Sequence, residues 1–378
     1  MTSDGDLGDN RVPCDAEEGG PGLRHVELGV EVEPLEGSAL GKGAFGMVRK
    51  ARWIDGEGRG RLVAVKYANE LTEASARRSL ENELKVFDAL PAHPHIIRCF
   101  GGKLGEGTAA GPGADSERCA GDDFYIVLEL MDMNLDELIR SPEHAHRCTY
   151  AGLLDVFEQV ADGLEHLHAH NIIHYDMKPG NVLLSRDLRV KLADFGLSKM
   201  KLRRSTAASC KGQFGYMAPE VALSLNVRGL RVTDKVDVFS LGVMMWECVS
   251  GKRRPSLQSQ SMGTRDSCMS FGSSCDEVCL GNSKYTLGLD CPKSLVQLIE
   301  QCVELQPDNR PSSMEVRTRL GELKREPWAQ GHPWGDDLAS QEDLQAGTKT
   351  GHFVDDSAWE SRHLIVPPVS GPCKDISV

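Results

Sequence analysis

Apolar residues recur along this chain in two periods, one suited to strands and one to helices, and strands dominate its early part. Leu35–Arg52 mixes polar and apolar side chains around a glycine turn, and Leu62–Ala68 is a short apolar run. Together they predict a small antiparallel sheet with a glycine hairpin. Between Ala74 and Leu90 the apolar positions Leu80, Leu84, Phe87 and Leu90 share one helical face, and His93-Pro94 closes that helix. The polar, glycine-rich stretch Gly101–Asp122 reads as a surface loop before the apolar strand Phe124–Leu130. Leu153–His168 predicts an amphipathic helix with Leu153, Val156, Phe157, Val160, Leu164 and Leu167 facing inward. Short strands follow at Val182–Leu184 and Val190–Leu192, on either side of a turn at Asp187.

From Val236 to Val249 nearly every face is apolar, as in a helix buried inside a large lobe. Lys252–Asn282 is rich in Ser and Gly without periodicity, and reads as a flexible insertion rather than a docking element. Leu295–Leu305 and Ser312–Leu323 predict two closing helices, so the folded part is expected to end near residue 326.

Charge sets the ends apart. Of the net -13, residues 1–34 hold nine acids against Arg11 and Arg24 (net -7), and residues 336–362 hold seven against Lys349 and Arg362 (net -5). Acidic, aromatic-poor ends bury too little apolar surface to offset the entropy of ordering, so both are expected to be disordered, and they argue against nucleic acid as the main ligand. The 12 cysteines include no CxxC pair and no amino-terminal signal is expected, which points to reduced thiols in a cytoplasmic or nuclear setting. Cys275 and Cys279 have no second Cys/His pair nearby to complete a metal site. The longest apolar candidate, Phe239 to Val249, contains Ser240 and Glu247 and is far short of the roughly 20 residues a membrane span needs.

The candidate chemistry lies in His174-Tyr175-Asp176-Met177-Lys178-Pro179-Gly180-Asn181, followed thirteen residues after Asn181 by Asp194-Phe195-Gly196. Upstream stand Gly41-Lys42-Gly43-Ala44-Phe45-Gly46-Met47-Val48 and Val63-Ala64-Val65-Lys66; downstream stands Ala218-Pro219-Glu220. In this order and spacing the set resembles a eukaryotic-type protein kinase of the Ser/Thr class. The resemblance implies an α+β, bilobal fold. A small antiparallel β-sheet lobe with one helix, about 35–130, would precede a larger, mainly helical lobe, about 131–326. Residues 1–34 and 327–378 are left as acidic tails.

What the resemblance implies for the site follows motif by motif. Leu40, Gly41, Lys42, Gly43, Ala44, Phe45 and Gly46 would cover the ATP phosphates, glycine letting backbone N–H groups approach without Cβ atoms in the way. Lys66 would contact the α- and β-phosphates, held by Glu83 from the helix behind it; the rival Glu81 lies on a different side of that helix. Val48, Ala64 and Leu183 would line an apolar slot for adenine beside the strand-end residues Glu129, Leu130 and Met131, with Leu128 at the rear gate. Asn134 and Asp136 are both candidates for the ribose hydroxyls. Asp176 would accept or orient the substrate hydroxyl, Lys178 would neutralise the γ-phosphate, and Asn181 and Asp194 would hold Mg²⁺. His174, Phe195, Phe87 and Cys99 align with the apolar stack between the lobes, and Glu220 and Arg310 match the family's buried ion pair.

Two positions depart from the family pattern. Tyr175 replaces the arginine that normally receives an activation-loop phosphate, so activity is expected not to require phosphorylation of Ser205, Thr206 or Ser209. Gln213 stands where a threonine hydroxyl is usual, which puts full activity in question. Lys178, two residues after Asp176, favours Ser/Thr over Tyr as acceptor, while Trp246-Glu247 and Gly212–Glu220 resemble the tyrosine-kinase-like branch. A basic activation segment (Lys199, Lys201, Arg203, Arg204, Lys211) reads as a solvated loop, or as a dock for an acidic tail. Protein substrates are implied, and the oligomeric state is left open. The alternative is a pseudokinase scaffold that binds nucleotide or partner proteins with little or no phosphotransfer. A small-molecule kinase fits less well, because Ala218-Pro219-Glu220 builds a platform for peptides.

Overall fold

Strand β3, Leu62–Ala68, is buried from Val63 onward on both faces, which its β-branched, nearly continuous apolar run requires of a central strand. In this computed structural model the described residues are 24–43, 46–54, 60–68, 73–104, 124–141, 144, 149–200, 215–224, 232–250 and 291–331. Five antiparallel strands, β1 (Val32–Gly43), β2 (Gly46–Trp53), β3, β4 (Cys99–Leu104) and β5 (Phe124–Glu129), lie in the order β1-β2-β3-β5-β4. Lys66 therefore stands between Val48 of β2 and Ile126 of β5. Helix α1 (Glu73–Ala89) packs behind this sheet.

The remaining described residues are mainly helical. A three-stranded sheet of β6 (Met133–Asn134), β8 (Val182–Leu184) and β9 (Val190–Leu192) lies beside helices α2 (Leu135–Arg140) and α3 (Tyr150–Ala169). A second pairing joins β7 (Ile172–Ile173) to β10 (Lys199–Met200). Then come α4 (Pro219–Leu223), α5 (Lys235–Ser250), α6 (Lys293–Cys302), α7 (Ser313–Leu323) and α8 (Pro327–Gly331). α2 and α7 start with reciprocal capping boxes, Asn134 with Glu137 and Ser312 with Glu315, which satisfy amide donors that a helix start leaves free. In α5 Val238, Leu241, Val243, Met244 and Cys248 are at most 1% exposed, so this helix is enclosed as its all-round apolar pattern demands. Among the described residues no helix is long and apolar enough to cross a membrane.

Three expectations need correction. Residues 24–34, assigned to the acidic tail, are packed on the sheet: His25 bridges to Gly102, and Val26 and Val32 are wholly buried with Val63, Val65, Tyr125 and Val127. The Tyr125 hydroxyl donates to the Val26 carbonyl (2.7 Å) and accepts from the Leu28 amide (3.1 Å). The apolar positions Val26, Leu28 and Val32 were a signal of burial, masked by the interleaved Glu27, Glu31 and Glu33, while Val30 lies in a turn and is exposed. Strand β4 was missed as well, because Gly101 and Gly102 read as loop; a Cβ on Gly101 would meet the Arg24 carbonyl oxygen at 2.0 Å, so glycine is what admits the amino-terminal segment. At the other end the chain continues past residue 326 into α8, where the Trp328 ring meets Tyr150 edge-on at 5.6 Å. The expectations for Ser205, Thr206, Ser209, Gln213, the Lys252–Asn282 insertion, Cys275 and Cys279 all fall outside the described residues.

Candidate active site

Lys66 reaches the site because Ala64 and Lys66 point to one face of β3 while Val63, Val65 and Tyr67 join the apolar cluster on the other. Its ammonium donates to Glu83 Oε2 of α1 at 2.6 Å and to Asp194 Oδ1 at 2.9 Å. Burial by itself would pull the Lys66 pKa down, but Asp194 and Glu83 outweigh it and hold the ammonium above its ordinary value. Asp194 is likewise disfavoured by burial, yet Lys66 keeps its carboxyl below the ordinary range, so the pair is ionised. Glu83 is wholly buried, and that burial raises its pKa against the pull of Lys66. The rival Glu81 instead pairs along the helix surface with Arg77 at 3.3 Å.

Asp194 has left-handed backbone angles (φ 65, ψ 67) and opens the turn Phe195–Leu197. The Asn82 amide nitrogen donates to the carbonyls of Phe195 (3.0 Å) and Ser198 (2.8 Å) and so ties this turn to α1. Phe195 packs between Phe87 (5.4 Å) and His174 (5.1 Å), the stack expected from the motifs. Cys99 sits across from Leu128 on the β4–β5 pair, and burial pushes its thiol up to about 12, so it is an inert packing residue.

Asp176 is 5% exposed, in the loop between β7 and β8. Lys178 Nζ donates to its Oδ2 at 2.6 Å, and Asn181 Nδ2 donates to the same oxygen (3.0 Å) and to the Asp176 carbonyl (2.7 Å). Thus Lys178, Asn181 and Asp176 form one cluster, and Lys66, Glu83 and Asp194 another, with Lys178 close enough to Asp194 to act on it electrostatically.

Sequence reasoning overlooked the residue that shapes this loop. Asp237, wholly buried in the first turn of α5, accepts the His174 amide (2.8 Å) and His168 Nε2 (2.9 Å) on one oxygen and the Tyr175 amide (2.9 Å) on the other. The signal was available, since a carboxylate inside an otherwise apolar helix must find partners. Tyr175 has φ 66, and the Lys199 ammonium lies 5.0 Å from its ring centroid. Burial and then Asp237 push its hydroxyl up to about 12.

The expected adenine residues divide. Ala64 and Leu128 are buried, Val48 pairs with Lys66 across β2 and β3, and Leu183 and Met131 are half-buried. The Glu129 side chain turns to Lys191 (2.9 Å) and to the Arg98 amide (2.8 Å), leaving only its backbone for an adenine edge. Leu40 is 46% exposed. Gly41 has open space around it, whereas a Cβ on Gly46 would meet the Tyr67 carbonyl oxygen at 2.1 Å. Lys42 and Gly43 are described as β1 backbone only, and Ala44 and Phe45 fall outside the described residues. Of the ribose candidates, Asn134 is engaged as the α2 cap and Asp136 pairs with Arg140 at 2.5 Å. Glu220 and Arg310 form a buried two-point ion pair at 2.6 and 2.9 Å.

Comparison with known proteins adds an independent finding. The family model described as protein kinase domain matches residues 35–323. The dual specificity protein kinase shkE of Dictyostelium discoideum is 29% identical over 322 residues, covering 84% of this chain and 40% of that protein. A putative serine/threonine-protein kinase/receptor of Acanthamoeba polyphaga mimivirus is 30% identical over 294 residues, 75% of this chain and 15% of that protein. The serine/threonine-protein kinase A-Raf of Sus scrofa is 28% identical over 307 residues, 78% of this chain and 44% of that protein. The chain thus spans less than half the length of each of these relatives.

Proposed function

This chain belongs to the protein kinase domain family, and on that premise we propose that it transfers the γ-phosphate of ATP to serine and threonine hydroxyls of protein substrates, with Mg²⁺. The observation that carries the reading is the Lys66 ammonium bridging Glu83 and Asp194 while Lys178 and Asn181 hold Asp176. Carboxylate and amide oxygens are the donor set a hard divalent cation prefers, so Asp194 and Asn181 fit Mg²⁺. When bound, Mg²⁺ supplies positive charge to the phosphates.

The protein's own groups divide the remaining work. Lys66, kept charged by its two carboxylates, would hold the α- and β-phosphates; Glu83 keeps it from swinging away. Asp176 would orient the acceptor hydroxyl and take its proton as the new O–P bond forms and the bond to the leaving ADP breaks. Such general-base action contributes about 10²–10⁴-fold. Lys178, already on Asp176, is placed to neutralise the transferring group. The Lys178 position and the relatives' names support Ser/Thr as acceptors. The cysteine usage extends the proposal to a cytoplasmic or nuclear setting.

Radiolabelled ATP with Mg²⁺ and a mixed peptide array tests the reading, run beside Asp176→Asn. Incorporation into Ser and Thr that falls at least a hundredfold in the variant supports it. Nucleotide binding without transfer indicates the scaffold alternative, and equal incorporation by both proteins overturns the role given to Asp176. Changing Ser205, Thr206 and Ser209 together to Ala is expected to leave the wild-type rate within tenfold; a hundredfold loss, about 2.7 kcal/mol, would show that a phosphate is needed there.

A further inference from the structure

Where β2 ends and β3 and β4 begin, the outer face of the sheet carries an alternation of guanidinium and aromatic groups. Arg24 lies 5.7 Å from the Trp53 ring, Arg61 lies 5.1 Å from Trp53 and 4.0 Å from Phe100, and Arg98 lies 5.3 Å from Phe100. The two rings meet edge-on at 5.7 Å. All three arginines are exposed while both rings are half-buried, so the rings form a floor from which the flat cations face outward.

The charges on this face are incompletely matched. Arg24 pairs with Glu31, and the nearby Glu129 is engaged by Lys191 and the Arg98 amide. Among the described residues the guanidinium groups of Arg61 and Arg98 form no ion pair and lie against the rings, with Glu129 near enough to Arg61 to act on it electrostatically. Burial first, and Arg98 second, pull the Arg61 guanidinium below its ordinary value, with Glu129 acting in the opposite sense. Val30 and Ile54, next in sequence to Glu31 and Trp53, expose 63% and 40% of their surface. Arginine together with aromatic residues is enriched at protein interfaces, and tryptophan and arginine are prominent among their hot spots.

We propose that this face, built on Arg24, Arg61 and Arg98 over Trp53 and Phe100, docks an acidic segment of a partner protein in extended conformation. Carboxylates at alternate positions of an extended peptide lie on one side, roughly 7 Å apart, and can face successive cations of this patch. Nucleic acid is a poorer fit, because the chain as a whole carries a net charge of -13 and would repel a long polyanion outside this small patch.

The test uses the full chain and fluorescence anisotropy. The probe is a short labelled peptide with glutamate at every second position and no hydroxyl side chain, so that it cannot be a substrate. Binding that weakens with salt and drops at least tenfold in Arg61→Gln/Arg98→Gln, with the thermal midpoint and phosphotransfer rate of that variant unchanged, supports the proposal. Equal binding by wild type and variant overturns it, as does equal affinity for a neutral peptide of the same length. Equal affinity for a single-stranded oligonucleotide of matched charge would show a general anion surface instead. If deleting residues 1–20 raises peptide affinity tenfold, the chain's own acidic end is the occupant and the partner reading falls.

Discussion

Lys66 and Asp176 carry the two halves of the candidate site, and they are held in place by different means. Lys66 meets carboxylates from residues 17 and 128 positions away, and both contacts are made by side-chain atoms across separate elements. Asp176 sits in a loop whose backbone amides at His174 and Tyr175 are fastened to one buried carboxylate, Asp237. The first arrangement depends on where α1 lies and is undone if that helix moves; the second is built into the packing of α5 and changes only with the fold. Charge contacts between elements are therefore the adjustable half of the site, and backbone hydrogen bonds into the core are the fixed half.

The largest effect is expected where the fixed half meets the last helices. Glu220→Ala leaves the Arg310 guanidinium, 1% exposed, without its carboxylate, and should cost about 3–5 kcal/mol in urea unfolding. Asp237→Ala comes next: the buried amides of His174 and Tyr175 lose their acceptor, for about 2–4 kcal/mol by the same measurement, with phosphotransfer reduced as well. If Asp237→Ala unfolds normally but only loses rate, the loop is less rigidly built than argued.

The adjustable half should respond in rate more than in stability. Glu83→Gln is expected to lower kcat/KM by about 10- to 100-fold, roughly 1.4–2.7 kcal/mol, while the urea midpoint shifts little. Its pH signature has a definite sign. The folded-state pKa of Asp194 is depressed, so its contribution is present above the ordinary carboxylate value and lost as pH falls through the lower folded value. That of Lys66 is raised, so its contribution is full below the ordinary lysine value and lost as pH rises through the folded one. Lys66→Met should therefore move the acid loss of stability to higher pH, because burial then acts on Asp194 without its main counter-charge; an unmoved acid limb would mean the pair contributes nothing.

The smallest effect tests a local substitution. Tyr175→Phe keeps the ring under Lys199 and should be nearly neutral, whereas Tyr175→Ala forfeits a charge–ring contact of about 0.5–1 kcal/mol, read in the thermal midpoint.

Much of the site was legible in the chain itself. Lys66, Asp176, Lys178, Asn181 and Asp194 stand in short motifs whose residue types are dictated by charge and coordination, and such motifs carry their meaning locally. Glu83 is preferred over Glu81 from its place before the His-Pro turn; in the structure Glu83 lies 2.6 Å from Lys66 and Glu81 pairs on the surface with Arg77. For Asp237 the chain shows a carboxylate that must find partners but not which ones, and for Asn82 it shows neither, because each works by reaching backbone groups far along the chain, His174 from 63 positions away and Phe195 from 113.

The periodicity of apolar residues by itself determined the early sheet, the helix behind it and the enclosed helix α5, since burying one face or all faces is a property of consecutive residues. Only the tertiary structure decided that Val26 and Leu28 cover the face of the sheet opposite α1, that Gly101 and Gly102 belong to a strand, and that Arg24, Arg61 and Arg98 share two rings. The physical reason is one of range. Strand and helix preferences act between neighbours in sequence, whereas a close backbone approach or a stack of cations on rings exists only once distant segments have been brought together.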